Sequence, residues 1–363
     1  MAFDAGQVIG EYEIVRVLGS GGHGSVYEAK HLISQRAEAL KVLRPEQTDT
    51  PEMTERFRRE IQLLGSLNHP NIARLHNAFY FDEQLVMIME LVEGENLRSR
   101  SLRMLIPIRH LVDFAAEVLA ALDYAHQAGV VHRDIKPSNI MVGANGSVKL
   151  LDFGIATQER APVLTTTGYF VGSPTHMSPE QFRGERATPQ SDFYSLGVTL
   201  YELISGQPPL QGATTYELMM AHIHQVPVSL NTLRPDIPTH LSNVIDRALA
   251  KDPARRFGTA TEFLAELRLH NVAALSESTT ASPPPSWQRI STDEFNKPPS
   301  SGVASLPLEP VIRNLAAYIG PIAKIVVNRL AKQYGNLDQV YTEASKHIEN
   351  DADRQRFLRS RPR

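Results

Sequence analysis

Val131-His132-Arg133-Asp134-Ile135-Lys136-Pro137-Ser138-Asn139-Ile140-Met141, followed by Lys149-Leu150-Leu151-Asp152-Phe153-Gly154, is the stretch on which the reading of this chain turns. It carries H-R-D-x-K-x-x-N and then D-F-G, with many positions fixed at once, so chance is a poor explanation. Upstream, Gly19-Ser20-Gly21-Gly22-His23-Gly24 fits G-x-G-x-x-G. Alone this is equally a glycine-rich hairpin turn. A dinucleotide site needs a helix directly after the glycines, whereas Ser25-Val26-Tyr27-Glu28-Ala29 has a strand pattern. The glycines therefore join two strands and can lie over phosphates, offering backbone N–H groups without side-chain bulk. Further on, Lys41 stands inside the apolar strand Ala39-Leu40-Lys41-Val42-Leu43. A lysine there needs a partner for its ammonium, and a phosphate or a carboxylate would serve. Glu60, on the helical stretch Arg56–Leu64, is the natural carboxylate; taken alone it reads more readily as part of a solvated helix face.

Together these residues resemble the protein kinase family. The resemblance runs over about residues 10–270 and takes in Gly172-Ser173-Pro174, Ser178-Pro179-Glu180 in place of A-P-E, Asp192 and Arg256. It implies a two-lobed α+β protein kinase fold, with a β-rich N-lobe and a helical C-lobe. It also implies ATP and Mg2+, with Mn2+ as an alternative ion. By the resemblance Asp134 accepts the proton of the attacking hydroxyl and Lys136 offsets charge on the transferred group. Lys41, fixed by Glu60, holds the phosphates, and Asn139 and Asp152 hold the metal. Leu18 to Gly24 (Leu18, Gly19, Ser20, Gly21, Gly22, His23, Gly24) close over the nucleotide. Val26 and Ala39 cover the adenine and Met141 lies beneath it. Met89 is the gatekeeper, and Glu90-Leu91-Val92 form the hinge.

Lys136 and Arg133 favour protein serine and threonine hydroxyls as acceptors over tyrosine or small molecules. The wording of His132–Asn139 and Met177–Gln181 is similar to the bacterial eukaryotic-type serine/threonine kinases. Many of those carry a membrane anchor and an external sensor, and neither is visible here. Arg133 beside Asp134 points to control by charge on the segment from Asp152 to Glu180. Thr165, Thr166 and Thr167 there are candidates for autophosphorylation, in trans between copies, against the plain alternative of a polar loop. Ser173, His176, Ser178 and Glu38 depart from the family's commoner residues, but none removes a catalytic group.

Composition frames these motifs. The chain has 363 residues, 42% hydrophobic and 21% charged, with a formal net charge of −3 and no cysteine. Disulfides, thiolate metal sites and cysteine nucleophiles are excluded. Nothing in the overall charge suggests a nucleic-acid binder. No secretory leader opens the sequence, and no apolar run reaches membrane-spanning length. Leu315–Val327 comes nearest, but Gly320-Pro321 and Lys324 break it into a pair of soluble helices. A cytoplasmic protein is expected.

Three regions are expected. Residues 10–275 form the catalytic domain, with the N-lobe at about 10–92 and the C-lobe at about 96–275. Its strands are read at Tyr12–Leu18, Ser25–Lys30, Ala37–Leu43, Ala73–Phe81 and Gln84–Glu90. Its helices are read at Pro51–Leu67, Pro107–Ala128, Pro189–Ser205, Thr215–His224, His240–Leu249 and Thr261–Asn271. Residues 276–305 hold eight Ser, three Thr and five Pro and read as a disordered linker. Residues 306–363 read as a small helical module of about four helices, with Asn336 and Gln339 as a capping box. Its 10 basic and 6 acidic residues give +4, against −6 for residues 1–275. This module fits protein docking or dimerisation, a plain helical cap, or, less well, nucleic-acid binding. The leading expectation is an active serine/threonine protein kinase. The rival is a silent ATP-binding scaffold working through its tail.

Overall fold

The computed structural model describes residues 3–21, 24–42, 51–82, 84–153 and 174–268, and in the C-terminal part 308, 310–312, 314–315, 327, 336–345, 354 and 356–358. Side chains 51–57 and 60 are outside that description. So are the 276–305 stretch and Thr165–Thr167.

Six antiparallel strands make the N-terminal lobe: β1 (Val8–Ile9), β2 (Tyr12–Gly21), β3 (Gly24–His31), β4 (Ala37–Val42), β5 (Leu75–Phe81) and β6 (Gln84–Glu90), in the spatial order β1-β2-β3-β4-β6-β5. Alternation decides which face is which. In β4, Glu38, Leu40 and Val42 point to one face, and Ala39 and Lys41 to the other. The first face joins Tyr12, Ile14, Tyr27, Ala29, Val86 and Ile88 in a core sealed by Phe3 and Ile9. The sealing residues lie ahead of the expected start at residue 10. Phe3 donates its N–H to the Tyr27 hydroxyl (3.1 Å), and a two-residue strand is too short to show a period in sequence. Helix α1 (Pro51–Ser66) crosses between β4 and β5.

The larger lobe is built on α3 (Ile108–Gln127) and α5 (Pro189–Ser205). Helix α5 is buried almost all round from Ser191 to Ile204, as a central helix must be. It approaches α8 (Thr239–Ala248) so closely that a Cβ added at Gly197 would lie 2.8 Å from the Ala248 Cβ. Around these are α2 (Leu97–Arg103), α4 (Pro179–Phe182), α6 (Thr215–His224), α7 (Leu230–Leu233) and α9 (Ala260–Arg268). The C-lobe is less purely helical than the sequence suggests. A second antiparallel sheet, in the order β7 (Gly94–Asn96), β8 (Ile140–Gly143) and β9 (Val148–Leu150), lies in this half of the chain. A single parallel bridge from Ile72 to Leu150 ties it to the loop before β5.

A second compact unit holds the C-terminal residues. Its helix α10 (Leu337–Ser345) starts directly after Asn336, where the capping box is read. Val311, Leu315, Val327, Val340, Tyr341, Ala344 and Phe357 form its own buried cluster. No helix among the described residues is long and apolar enough to cross a membrane.

Candidate active site

The decisive stretch folds into a loop between α3 and β8, held from beneath by one carboxylate. Asp192, in the first turn of α5, is fully buried. It accepts the His132 N–H (2.9 Å), the Arg133 N–H (2.7 Å) and a bond from His126 Nε2 (2.7 Å). Burial alone would raise its pKa, but the His126 bond and charge, with help from His132, hold it below the usual carboxylate value. Both N–H groups are captured while Arg133 sits at φ +68°, a left-handed conformation costly for a residue with a side chain. His132, buried and pushed toward neutrality by that burial, bonds Leu151 O through Nε2 (2.7 Å) and accepts the Asp134 N–H at Nδ1 (3.2 Å). One imidazole therefore ties the Asp134 loop to the residue before Asp152.

Two of the expected site residues converge on Asp134. Lys136 Nζ lies 2.7 Å from its Oδ2. Asn139 Nδ2 donates to the same oxygen (3.0 Å) and to the Asp134 backbone carbonyl (2.9 Å). Asn139 is set there by a short 3-10 turn, Pro137–Asn139, that starts with proline. Its amide nitrogen is thus occupied, which turns Oδ1 into its available donor toward a cation.

Lys41 is buried to 8% exposure, and its ammonium meets Asp152 Oδ1 at 2.7 Å. This is the carboxylate partner its apolar strand demands. It comes from just beyond β9; the Glu60 side chain, the partner expected from α1, lies outside the described residues. Asp152, too, has a left-handed backbone, φ +50°. Phe153 next to it packs against the His132 ring (4.5 Å between centroids). Behind Lys41, a small cavity of about 20 Å³ is lined by Leu64, Met87, Met89, Asp152 and Phe153, room for about one water.

Of the expected adenine residues, Val26, Ala39 and Met89 lie on neighbouring strands of the six-stranded sheet. Val26 pairs with Lys41, Ala39 with Met89, and Lys41 with Met87, across β3, β4 and β6. Leu18, Gly19 and Ser20 are exposed on β2, and the ladder runs to Gly21 opposite Gly24. Gly22 and His23 lie outside the described residues. Glu90 is half-buried at the end of β6, Val92 is half-buried just beyond it, and Met141 is half-buried on β8.

Beyond the loop, Glu180 forms a buried pair with Arg256 (2.7 and 2.8 Å) and accepts from Ser191 Oγ (2.6 Å). Gln181 donates to the Arg133 carbonyl (3.0 Å), connecting α4 to the same loop. The sequence showed Asp192, Glu180 and Arg256 as motif positions but not whom they bond. Gln181 and Lys149 stood inside quoted motifs without a role, and His126 carried no sequence signal.

Asn139 Oδ1 and the Asp152 carboxylate are hard oxygen donors suited to Mg2+, which binds one or two protein oxygens and keeps the rest of its shell for water and phosphate. No group of three or more His, Asp or Glu poised for a metal occurs among the described residues.

Comparison with known proteins gives two family matches. The protein kinase domain matches residues 12–267, and a domain of unknown function (DUF8082) matches residues 308–361. Serine/threonine-protein kinase PrkC of Bacillus subtilis is 36% identical over 263 residues, 72% of this chain and 41% of the relative. Serine/threonine-protein kinase PknA of Mycobacterium tuberculosis is 38% identical over 284 residues, 76% of this chain and 65% of the relative. The chain thus spans less than two thirds of either relative. Among solved structures, the M. tuberculosis PknI kinase domain superposes with a TM-score of 0.61 at 32% identity, over 73% of this chain and 98% of that one.

Proposed function

The chain belongs to the protein kinase family, and from that premise we propose that it is an active serine/threonine kinase that moves the γ-phosphoryl group of ATP to protein hydroxyls. The observation that carries the reading is the convergence of Lys136 and Asn139 on Asp134, with Lys41 and Asp152 facing each other across the cleft.

Phosphoryl transfer asks the protein for position and charge more than for covalent help. Two donors occupy Asp134 Oδ2, which leaves Oδ1 to accept the proton of the attacking hydroxyl. Lys136, held beside it, faces the charge that develops on the transferred group. Lys41 exchanges Asp152 for the phosphates when ATP enters. Asn139 and Asp152 would hold Mg2+, with Mn2+ as the alternative; the ion would supply charge neutralisation on the phosphate oxygens. The Gly19–Gly24 hairpin covers the phosphates, Val26, Ala39 and Met141 sandwich the adenine, Met89 bounds the pocket, and the backbone at Glu90–Val92 reads the adenine edge. Glu60 would fix Lys41 in the loaded enzyme.

The intact set of Lys41, Asp134, Asn139 and Asp152 favours this reading over a silent scaffold. The relatives' printed names, serine/threonine-protein kinases, favour serine and threonine as acceptors. Autophosphorylation at Thr165, Thr166 or Thr167, between copies in trans, belongs to the same reading, as do a cytoplasmic setting where ATP is abundant and protein docking by residues 306–363. Purified protein incubated with labelled ATP and Mg2+ should label itself and a basic protein substrate, and Asp134→Asn should not. Equal labelling by the two proteins would sink the catalytic reading. Replacing all three threonines by alanine should lower activity and remove phosphate from that segment on mass spectrometry.

A further inference from the structure

We propose that Lys149 is a positioning residue for nucleotide binding: from β9 it clamps the Glu90 carboxylate and so fixes the backbone that reads the adenine edge. The inference rests on the kinase reading above and adds a residue to it.

Glu90 is the last residue of β6, and the chain leaves the ladder there, since residues 91–93 carry no regular structure. The hinge backbone therefore depends on how Glu90 itself is held. Lys149 Nζ lies 2.9 Å from each of its carboxylate oxygens. The Arg74 N–H donates to Glu90 Oε2 (3.2 Å), and the Glu90 N–H donates back to the Arg74 carbonyl (2.8 Å). Side chain and main chain of one residue are thus both anchored, on two different segments.

Those two segments are themselves joined. Leu150, next to Lys149, donates its N–H to Asn71 O (2.8 Å) and accepts the Ala73 N–H (3.0 Å). The Asn71 amide bonds Val148 O (2.8 Å) and Glu117 Oε2 on α3 (2.6 Å), and the Val148 N–H bonds that same oxygen (2.8 Å). Hinge, β9 and residues 71–74 close a ring whose one ionic link is Lys149–Glu90. Register adds the connection to adenine. Lys149 stands opposite Met141 in the β8–β9 ladder, so one pair of neighbouring residues supplies both the floor of the adenine slot and the clamp on its edge. The two side chains are only 23% and 30% exposed, which shields the pair from the screening that weakens surface ion pairs.

The full chain is titrated with Mg2+ and a non-hydrolysable ATP analogue by calorimetry, as wild type, Lys149→Met, Lys149→Arg, Glu90→Gln and the Met/Gln double variant. Lys149→Met should weaken binding roughly fivefold, the worth of a partly buried pair, and raise the KM for ATP in step while kcat holds. Lys149→Arg should restore binding, and the double variant should bind no worse than the weaker single one. Amide exchange at residues 89–92 in the nucleotide-free protein should quicken in Lys149→Met. Wild-type affinity in Lys149→Met, additive losses in the double variant, or a lowered melting temperature with binding untouched each overturns the proposal. A wild type that binds the analogue without transferring phosphate overturns the activity alone; one that binds no analogue overturns both.

Discussion

Each lobe buries a glutamate, and the two are satisfied in different ways. Glu180 in the helical lobe is 2% exposed, with both oxygens on the Arg256 guanidinium and a Ser191 hydroxyl on one of them. Arg256 in turn bonds the carbonyls of Ala250 and Gln190. Glu38 in the sheet lobe is fully buried as well. Arg36 Nε (2.9 Å) and His76 Nδ1 (2.6 Å) both approach its Oε1, and its Oε2 has no hydrogen-bond partner among the described residues. Arg36 is 60% exposed, so its charge is shared with water. A closed bidentate pair joins α4, α5 and the loop before α9 into one body beneath the catalytic loop. The half-satisfied carboxylate of Glu38 links β4 only to His76 of β5 and to Arg36 two residues away. Buried charge is costly in either lobe; at Glu180 the cost is offset by complete pairing, and at Glu38 it is not.

Removing the closed pair should show the largest effect. Arg256→Ala strands Glu180 and Ser191 in the interior and should cost about 3–5 kcal/mol in urea unfolding. Glu180 gives that deficit a pH signature. Burial alone would raise its pKa, but the Arg256 bonds hold it below the usual glutamate value. A depressed carboxylate stabilises the fold above the unfolded pKa and loses that contribution as pH falls through the folded one. Without Arg256 burial dominates and the carboxyl protonates readily, so the deficit should narrow between pH 7 and pH 4. A deficit that stays constant with pH would remove Glu180–Arg256 as its source.

Asp192→Asn should come next. It puts an amide NH2 where one carboxylate oxygen now accepts, so at least one buried donor of the catalytic loop goes unpaired, at a cost of about 2–3 kcal/mol. Because Arg133 holds φ +68° through that acceptor, phosphoryl transfer should fall roughly tenfold or more. Unchanged kinetics would show that the loop keeps its twist without Asp192.

His222 supplies a smaller, pH-gated effect. It is buried against Tyr194, whose hydroxyl lies 2.9 Å from Nδ1, and burial lowers its pKa from 6.5 to about 3. The neutral form belongs to the fold, so stability is complete above 6.5. As pH falls from there toward 3 it declines by up to ~1.4 kcal/mol per pH unit. His222→Asn should start lower at pH 7 but show a flatter decline, read as denaturant midpoints from pH 7 to pH 4. An equal slope would assign the acid sensitivity elsewhere.

The smallest effect is expected in the sheet lobe. Glu38→Met removes a carboxylate that is only half paired and leaves Arg36 and His76 able to reach water. Stability should change by no more than about 1 kcal/mol, in either direction. A loss as large as that of Arg256→Ala would erase the contrast between the two sites.

Much of the site was legible because its chemistry is packed into short, contiguous patterns. The residues from His132 to Asn139 lie in one loop, and Asp134, Lys136 and Asn139 meet over separations of two to five residues. Long elements were legible for the same reason: Gln84–Glu90, Pro189–Ser205 and Thr215–His224 lie where their periodicity puts them. Short elements were not. Val8–Ile9, Gly94–Asn96 and Leu230–Leu233 span fewer residues than a period needs to declare itself. Phe3, buried on the sheet, belongs to the core through contacts that composition cannot show.

What the sequence determined by itself was the family, the order of its motifs and the residues capable of the chemistry, since local spacing encodes what neighbours along the chain can do together. What only the tertiary structure decided was partnership. Lys41 meets Asp152 across 111 residues, Glu180 meets Arg256 across 76, Arg133 meets Asp192 across 59, and so does Lys149 meet Glu90. A buried charge requires some partner, but which of the available ones it takes is settled by how sheet and helices pack, and no local pattern records that choice.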